Sequence, residues 1–195
     1  MNKYRIIAIC GKSAAGKDTL LHEIIKNNPE VHEIVSCTTR PPREGEVDGK
    51  NYFFLTESQF REKCVNHEML EMSEFRAWYY GTAIDGVNPR LINVGVFNPT
   101  GIYNLMKNED VDLFVVFVGA SDKVRLMRSL NRENNPDVDE IVRRYMTDKK
   151  DFEDFSKVYE PDYIFNNDRM DSLDVELASR TTVELARCHW AKLAN

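Results

Sequence analysis

Apolar and polar positions along this chain form blocks that predict strands alternating with helices. Short apolar runs are typical of buried strands, and apolar residues recurring every three or four positions are typical of amphipathic helices. The strands predicted in this way are Tyr4–Cys10, Glu33–Thr38, Asn51–Leu55, Glu68–Phe75, Ala77–Thr82, Leu91–Phe97, Val111–Val118 and Tyr163–Phe165. The alternation predicts an α/β fold, with a parallel sheet flanked by helices.

Capping signals locate several helices between these strands. Thr56 and Gln59 have the form of a capping box, and Asn98-Pro99 is a cap followed by proline at the first helical position. Two later helices are predicted to carry an apolar face each, with Val124, Met127 and Leu130 in one and Val138, Ile141, Val142, Tyr145 and Met146 in the other. A last helix is predicted from Leu173 to about Ala194.

Composition and charge narrow the class of protein. The chain has 195 residues, of which 42% are hydrophobic, and this is enough to bury the core of one domain. Its net charge of −6 argues against general affinity for nucleic acid or membranes. Its four cysteines form no C-x-x-C pair, and Cys10 and Cys37 end apolar runs as buried, reduced thiols would. Without a signal pattern or a membrane-length apolar run, we expect a soluble cytoplasmic protein.

A glycine-bounded loop follows the first predicted strand and precedes a helix. Its residues are Gly11, Lys12, Ser13, Ala14, Ala15, Gly16, Lys17, Asp18 and Thr19. In this context glycines let backbone N–H groups surround an anion, the helix N-terminus adds a favourable dipole, and Lys17 supplies a positive charge. The alternative is a glycine turn before a surface helix. The motif with its flanking elements predicts a nucleoside triphosphate site.

Asp18 stands where this motif normally has Ser or Thr. A hydroxyl at that position binds Mg²⁺. A carboxylate also suits a hard cation and a helix N-terminus, although it repels phosphate oxygens unless a metal screens it. Asp18 is therefore either a metal ligand or a simple charge at the start of the helix.

Several charged and hydroxyl side chains form a second candidate site. Arg40 and Arg43 lie three residues apart in a loop bounded by proline and glycine, and arginine forks match phosphate. A solvated charged loop is the alternative. Tyr52 and Tyr80 are either donors or half-buried core residues, and Glu71 points either inward or to solvent. A third basic group flanks an Asn-rich loop on both sides and consists of Arg125, Arg128, Arg132, Arg143 and Arg144. These arginines either surround a bound polyphosphate or form a solvated helix face.

The segment Val35–Tyr52 closely resembles the substrate-binding signature of guanylate kinases. Further similarity lies at Leu70-Glu71, at Tyr79–Thr82 and at Asp162–Asp168, in the order found in that family. The resemblance implies a phosphate-loop, three-layer core (residues 1–35 and 83–195), an α+β NMP-binding lobe (36–82) and a lid (about 128–150). It also implies transfer of a phosphoryl group from ATP, with Mg²⁺, to GMP or dGMP, by a monomer or homodimer whose partners are nucleotides.

The same resemblance assigns roles to individual residues. It gives Arg40, Arg43, Tyr52 and Tyr80 to the GMP phosphate, and Ser36, Glu71 and Thr82 to the guanine. Arg132 and Arg144 would be lid arginines that neutralise the transferring group, with Arg128 as the substitute for Arg132. Asn167 would border the adenine. Lys17, Arg40, Arg132 and Arg144 are thus the candidate catalytic residues, and Asp18 is the candidate metal ligand.

One departure from the family pattern concerns an Asp-x-Asp pair on a core strand. The matching positions are interpreted as Asn93 and Gly95, so that Asp18 would replace the missing strand acid near the metal. Base recognition would then depend more on Glu71 and Ser36. Two alternatives follow, a kinase with altered base specificity and a guanylate-kinase-like binding module with little activity.

Overall fold

A computed structural model of the protein describes residues 3–43, 45–75, 77–132, 134–169 and 171–193. Glu44 of the arginine-containing loop, Glu133 of the Asn-rich loop and Ala194 of the last predicted helix lie outside these ranges. The strands are β1 (Tyr4–Cys10), β2 (Val31–Glu33), β3 (Cys37–Thr38), β4 (Phe53–Phe54), β5 (Met69–Phe75), β6 (Trp78–Ala83), β7 (Ile92–Val96), β8 (Val111–Gly119) and β9 (Tyr163–Asn166). The helices are α1 (Lys17–Asn27), α2 (Glu57–Val65), α3 (Pro99–Met106), α4 (Asp122–Leu130), α5 (Val138–Val158) and α6 (Ser172–Leu193).

These elements form two sheets. A five-stranded sheet has the order β2-β7-β1-β8-β9, in which β2 is parallel to β7 and β8 is parallel to β9. A four-stranded sheet has the order β4-β3-β6-β5. Parallel pairing in the larger sheet, with helices between its strands, confirms the predicted α/β class.

The chain divides into two compact units. The first consists of residues 1–7 and 30–113. It holds the smaller sheet, in which β5 and β6 form an antiparallel pair, and α3 packs against β5. The capping box of α2 and the Asn98 cap of α3 form as predicted, because Thr56 and Asn98 accept hydrogen bonds from Gln59 N and Gly101 N.

The second unit consists of residues 8–29 and 114–195. In it, α1 packs against α6, and α4 packs against α5. The thiol of Cys10, at the end of β1, is fully buried, and burial raises its pKa to about 12. Both Cys10 and Cys37 are free and buried, as the sequence predicted.

One prediction, of a single strand at residues 33–38, is wrong, and the packing of two helices is a separate finding. The apolar run Glu33–Thr38 is not one strand, since β2 pairs with β7 in one sheet and β3 pairs with β4 and β6 in the other. The apolar faces of α4 and α5 are not buried in the core. Their exposed members include Met127, Leu130, Val138, Val142 and Met146. The buried residue of α4 is instead Arg125, whose charge is bound by acidic side chains.

Candidate functional site

The loop between β1 and α1 adopts a backbone that requires glycine. Gly11 and Gly16 have φ of 150° and 103°. A Cβ at Gly11 would lie 2.3 Å from the Val118 carbonyl oxygen, and one at Gly16 would lie 2.2 Å from Asn167 Nδ2. Ala14 also has a positive φ, of 60°. These positions curl the chain around the N-terminus of α1, where unpaired N–H groups and the helix dipole favour an anion.

Lys17 is the first residue of α1, and its side chain folds back over the loop. Its Nζ donates to the Lys12 carbonyl oxygen at 3.2 Å. Burial lowers the pKa of Lys17, while the charges of Asp18 and Asp148 oppose that shift. The half-buried side chain thus holds the amine at the loop, where partial exclusion of water would strengthen its interaction with an anion.

A cavity of about 540 Å³ opens beside this loop, a volume that suits a nucleotide. It is lined by loop residues, including the exposed side chains of Asp18 and Thr19, and by residues of α4 and of the segment after β9. Val124 and Met127 of α4 are part of its wall. The exposed side chain of Met127 therefore lines this cavity. We call the loop and this cavity the phosphate-loop site.

Asn167 and Arg128 donate hydrogen bonds to the backbone of the loop. Asn167 is buried, and its Nδ2 donates to the Ala15 carbonyl oxygen at 2.9 Å. The guanidinium of Arg128 donates to the carbonyl oxygen of Asn167 at 2.6 Å and to that of Ala15 at 3.3 Å. Both side chains are therefore bound to the backbone of the loop and of the segment after β9.

Arg132 and Arg144 meet in a second, smaller cavity of about 120 Å³, whose wall includes Ser13 and Ala14 of the loop. Arg132 also lines the larger cavity. Arg144 Nε donates to Glu140 at 2.6 Å, and Arg143 is bound to the same carboxylate. Although burial opposes the shift, these two arginines lower the pKa of Glu140 to about 2. The structure thus brings both predicted lid arginines to the phosphate loop.

The remaining predicted residues lie in the other unit. Arg40 is 9% exposed, and its guanidinium forms a bidentate ion pair with Glu46, at 3.0 and 2.9 Å. It lies over the ring of Tyr52, 5.4 Å from the centroid. Glu46 also accepts from the Arg43 backbone N–H at 2.7 Å. Sequence reasoning missed Glu46, although it lies in the Gly-Glu-Val-Asp-Gly run that carries the resemblance.

The smaller sheet brings the two tyrosines to the same place. Thr38 of β3 is paired with Tyr80 of β6, and the rings of Tyr52 and Tyr80 are 6.0 Å apart with an edge-to-face tilt. Ser36, just before β3, accepts a hydrogen bond from Phe53 N through its carbonyl oxygen. We call Arg40, Arg43, Glu46, Tyr52 and Tyr80, together with the neighbouring Glu71 and Thr82, the arginine-loop site.

Glu71 is buried beside Thr82 on the neighbouring strand. Its Oε1 accepts from the Thr82 hydroxyl at 3.0 Å, whereas its Oε2 is buried with no hydrogen-bond partner within the described ranges. Burial raises the pKa of this carboxyl to about 7. A Cβ at Gly101 would lie 3.2 Å from Oε2, so this oxygen lies beside the first turn of α3.

Two polar residues near Glu71 were not predicted as site residues. Asn98 donates through Nδ2 to Ser73 Oγ at 3.2 Å, and Ser73 is buried two positions after Glu71 on β5. Asn98 was recognised only as a helix cap. Its position soon after the end of a buried strand is the signal that could have identified it, because such ends commonly carry polar site residues in α/β folds.

The guanylate kinase family model matches residues 3–181 of this chain. The chain belongs to the guanylate kinase family. The guanylate kinase of Wolbachia pipientis wMel is 32% identical over 184 residues, which cover 89% of this chain and 87% of that protein. The guanylate kinase of Carboxydothermus hydrogenoformans is 29% identical over 188 residues, 94% of this chain and 90% of that protein.

A solved structure shows the same fold. The crystal structure of guanylate kinase from Anaplasma phagocytophilum aligns with a TM-score of 0.66 and 19% identity, over 97% of this chain and 87% of that chain. Membership of the guanylate kinase family confirms the prediction of an ATP-dependent nucleoside monophosphate kinase, and neither alternative is favoured. Across the described ranges, no helix has the length and apolar character of a membrane span.

Asn93 and Gly95, interpreted from the sequence as the positions of the missing acids, both lie in packed surroundings in this member of the guanylate kinase family. Asn93 is fully buried, and its side chain binds Asn88 N and the carbonyl oxygens of Arg5, Asn88 and Leu91. Gly95 is packed so that a Cβ would lie 3.2 Å from Ile34 Cβ. Both residues therefore have structural roles in the first unit.

Proposed function

We propose that ATP binds in the phosphate-loop site, that GMP or dGMP binds in the arginine-loop site, and that the γ-phosphoryl group passes from the first to the second. The observation that supports GMP best is the buried carboxylate of Glu71. One of its oxygens is satisfied by Thr82 and the other lacks a partner in the described part of the chain. Guanine offers two adjacent donors, N1–H and the 2-amino group, which a carboxylate can accept together.

The proposed roles of the basic residues follow from where charge accumulates. Lys17 binds the outer phosphates of ATP from the start of α1. Arg40 and Arg43, with the hydroxyls of Tyr52 and Tyr80, bind the GMP phosphate, while Ser36 and Thr82 lie near the base. Arg132 and Arg144 offset the negative charge of the transferring group, since phosphoryl transfer depends mainly on positioning and electrostatic stabilisation.

Arg40 must exchange partners in this proposal. Its fork is bound to Glu46, so a phosphate that approaches it competes with a carboxylate of the protein. The rings of Tyr52 and Phe54 lie 5.4 and 5.8 Å from the guanidinium carbon and limit its movement. Arg40 is therefore held near its place of use before GMP arrives, which reduces the entropy lost on binding.

The residues at the loop fit one magnesium ion held largely by phosphate and water. Within the described ranges, no cluster of three or more His, Cys, Asp or Glu side chains could hold a metal. Asp18, exposed on the wall of the cavity, is the carboxylate that we assign to the Mg²⁺ shell. Mg²⁺ in kinases commonly uses one or two carboxylates together with phosphate oxygens and waters. When bound, it would neutralise charge on the phosphates.

A coupled ADP-release assay with separate nucleoside monophosphates tests this function. With ATP and Mg²⁺, we expect the highest kcat/KM for GMP and dGMP, and a lower value for IMP because it lacks the 2-amino group. AMP, CMP and UMP should react poorly. A preference for one of those three would overturn the base assignment, and ATP binding without turnover on any acceptor would establish a binding module.

A further inference from the structure

Arg125 is a buried charge on α4 that the proposed reaction does not use. Its side chain is 3% exposed. The guanidinium donates to Asp122 Oδ1 at 2.8 Å, to Asp148 Oδ2 at 3.3 Å and to the Ser13 carbonyl oxygen at 3.2 Å. It therefore connects two helices of the second unit with the phosphate loop.

Asp148, on α5, completes the contact from the other side. Its Oδ2 accepts from the backbone N–H of Ser13 at 2.6 Å. The Arg125–Asp148 ion pair thus binds both backbone groups of one residue, the N–H and the C=O of Ser13. This carboxylate is 15% exposed, so water competes weakly for these bonds.

A third residue keeps the ion pair in position. The guanidinium carbon of Arg125 lies 5.2 Å from the centroid of the Tyr145 ring. The Tyr145 hydroxyl donates to Asp122 Oδ2 at 2.6 Å, while Asp122 Oδ1 accepts from Arg125. Arg125 is therefore restrained from several directions, and the geometry of its contact with Ser13 is well defined.

Ser13 immediately precedes the residue of the loop that has an unfavourable backbone conformation. The next residue, Ala14, has φ of 60°, which non-glycine residues rarely adopt. Such a conformation persists only when its surroundings enforce it. One local bond, from Ala15 N to the Lys12 carbonyl oxygen at 3.2 Å, closes the turn. The contacts with Arg125 and Asp148 are the side-chain restraint immediately before the strained residue.

We propose that Asp148 and Arg125 are positioning residues that hold the phosphate loop in its binding conformation and thereby set its affinity for ATP. A carboxylate beside a phosphate site would by itself repel the ligand, but the charge of Asp148 is offset by Arg125. The pair fixes Ser13 with little net charge. This inference rests on the proposed binding of ATP at this loop.

Removal of the Asp148 carboxylate tests the proposal. Asp148→Ala should raise the Kd and KM for ATP about tenfold, the loss expected for a charge-assisted hydrogen bond, while the KM for GMP changes by less than about twofold. Asp148→Asn keeps an acceptor for Ser13 N–H but loses the charge, so its effect should be smaller, about threefold. Equilibrium ATP titration and steady-state kinetics measure both.

Asp154→Ala is the matched control. Asp154 lies on the same helix, and its side chain is 73% exposed and paired with the exposed Lys157. This variant removes the same charge at a distance from the loop contact. It should leave ATP affinity unchanged. If it weakens ATP binding as much as Asp148→Ala does, a general charge effect replaces the proposed role.

A double-mutant cycle with Arg125→Ala separates pairing from independent effects. If the two residues act as one restraint, Arg125→Ala with Asp148→Ala should be little worse than the more damaging single variant. Tighter ATP binding by Asp148→Ala, or equal loss of ATP and GMP affinity in Asp148→Asn, would overturn the proposal. Failure of the proposed function would show instead as absence of ADP release by the unmodified protein.

Discussion

The phosphate-loop site and the arginine-loop site, to which we assign the phosphates of ATP and of GMP, differ in the groups that would bind phosphate. In the first, the backbone provides the binding groups, and glycines at 11 and 16 permit its curvature. In the second, side chains provide them, and the guanidinium of Arg40 is already bound to Glu46. A phosphate that binds Arg40 must therefore replace a carboxylate, whereas a phosphate that binds Lys17 meets an amine bound to the uncharged carbonyl oxygen of Lys12.

The largest expected effect breaks the phosphate-loop site. Lys17→Ala removes the charge that the loop holds at the phosphates, so kcat should fall by a factor on the order of 10²–10³. The KM for GMP should change little, because Lys17 lies in the other unit. Steady-state kinetics and circular dichroism check the rate and the fold. A folded variant with near-normal turnover would refute the assignment of this loop.

The second-largest effect is expected at Glu71, which we assign to the guanine base in the arginine-loop site. Glu71→Gln replaces an acceptor-only carboxylate by an amide with its own donors, so kcat/KM for GMP should fall on the order of 100-fold. ATP affinity should remain. If IMP and GMP lose activity equally, Glu71 binds N1–H alone.

The raised pKa of Glu71 predicts how folding stability and the KM for GMP depend on pH. The pKa of Glu71 is raised from 4.5 to about 7 by burial, so the protonated form is favoured in the folded protein. As pH rises from about 4.5 to 7, the unfolded state releases this proton more readily and folding stability falls. GMP needs the ionised carboxylate, so its KM should fall as pH rises through about 7. Because the GMP phosphate titrates near pH 6 as well, the profile of Glu71→Gln is the reference.

A smaller effect tests the exchange at Arg40. Arg40→Lys keeps the charge but loses the planar fork, so the KM for GMP should rise about tenfold while the KM for ATP is unchanged. Arg43→Lys is the companion variant, with the same direction expected. Equal loss of ATP affinity would move these arginines to the phosphate-loop site and remove the contrast between the two sites.

The smallest effect concerns the metal. Asp18→Ser should raise the Mg²⁺ concentration for half-maximal rate by roughly threefold, as expected for a solvent-screened carboxylate worth about 0.7 kcal/mol. Asn93→Asp should not restore it, because Asn93 is buried in hydrogen bonds to its own turn. Full recovery in the double variant would instead support the predicted exchange of acids between Asp18 and Asn93.

Local signals predicted much of the fold. The caps at Thr56 and Asn98 and the β5–β6 pair depend on neighbouring residues, and the structure confirms them. The run Glu33–Thr38 was misjudged because its division depends on distant pairing partners, β7 for one half and β6 for the other. No periodicity within the run contains that information.

The site residues divide in the same way. Gly11, Gly16 and Lys17 were predictable because the motif itself dictates the backbone. The partners Glu46 and Asp148 were not predicted, since a charged residue in a sequence does not reveal which charge it will meet. The hydrogen bonds of Asn93 were not predicted for the same reason, because only the folded chain brings the turn at Asn88 around this side chain.

The Arg40–Glu46 pair has a consequence for solutes other than nucleotides. A small anion such as inorganic phosphate or sulfate can offer Arg40 little more than Glu46 already provides, since each replaces one charged acceptor by another. A nucleotide brings further contacts through its base, and these can offset the loss of the internal pair. We therefore expect the Glu46 carboxylate to compete with simple anions for Arg40, so that abundant salts bind this arginine weakly when no nucleotide is bound.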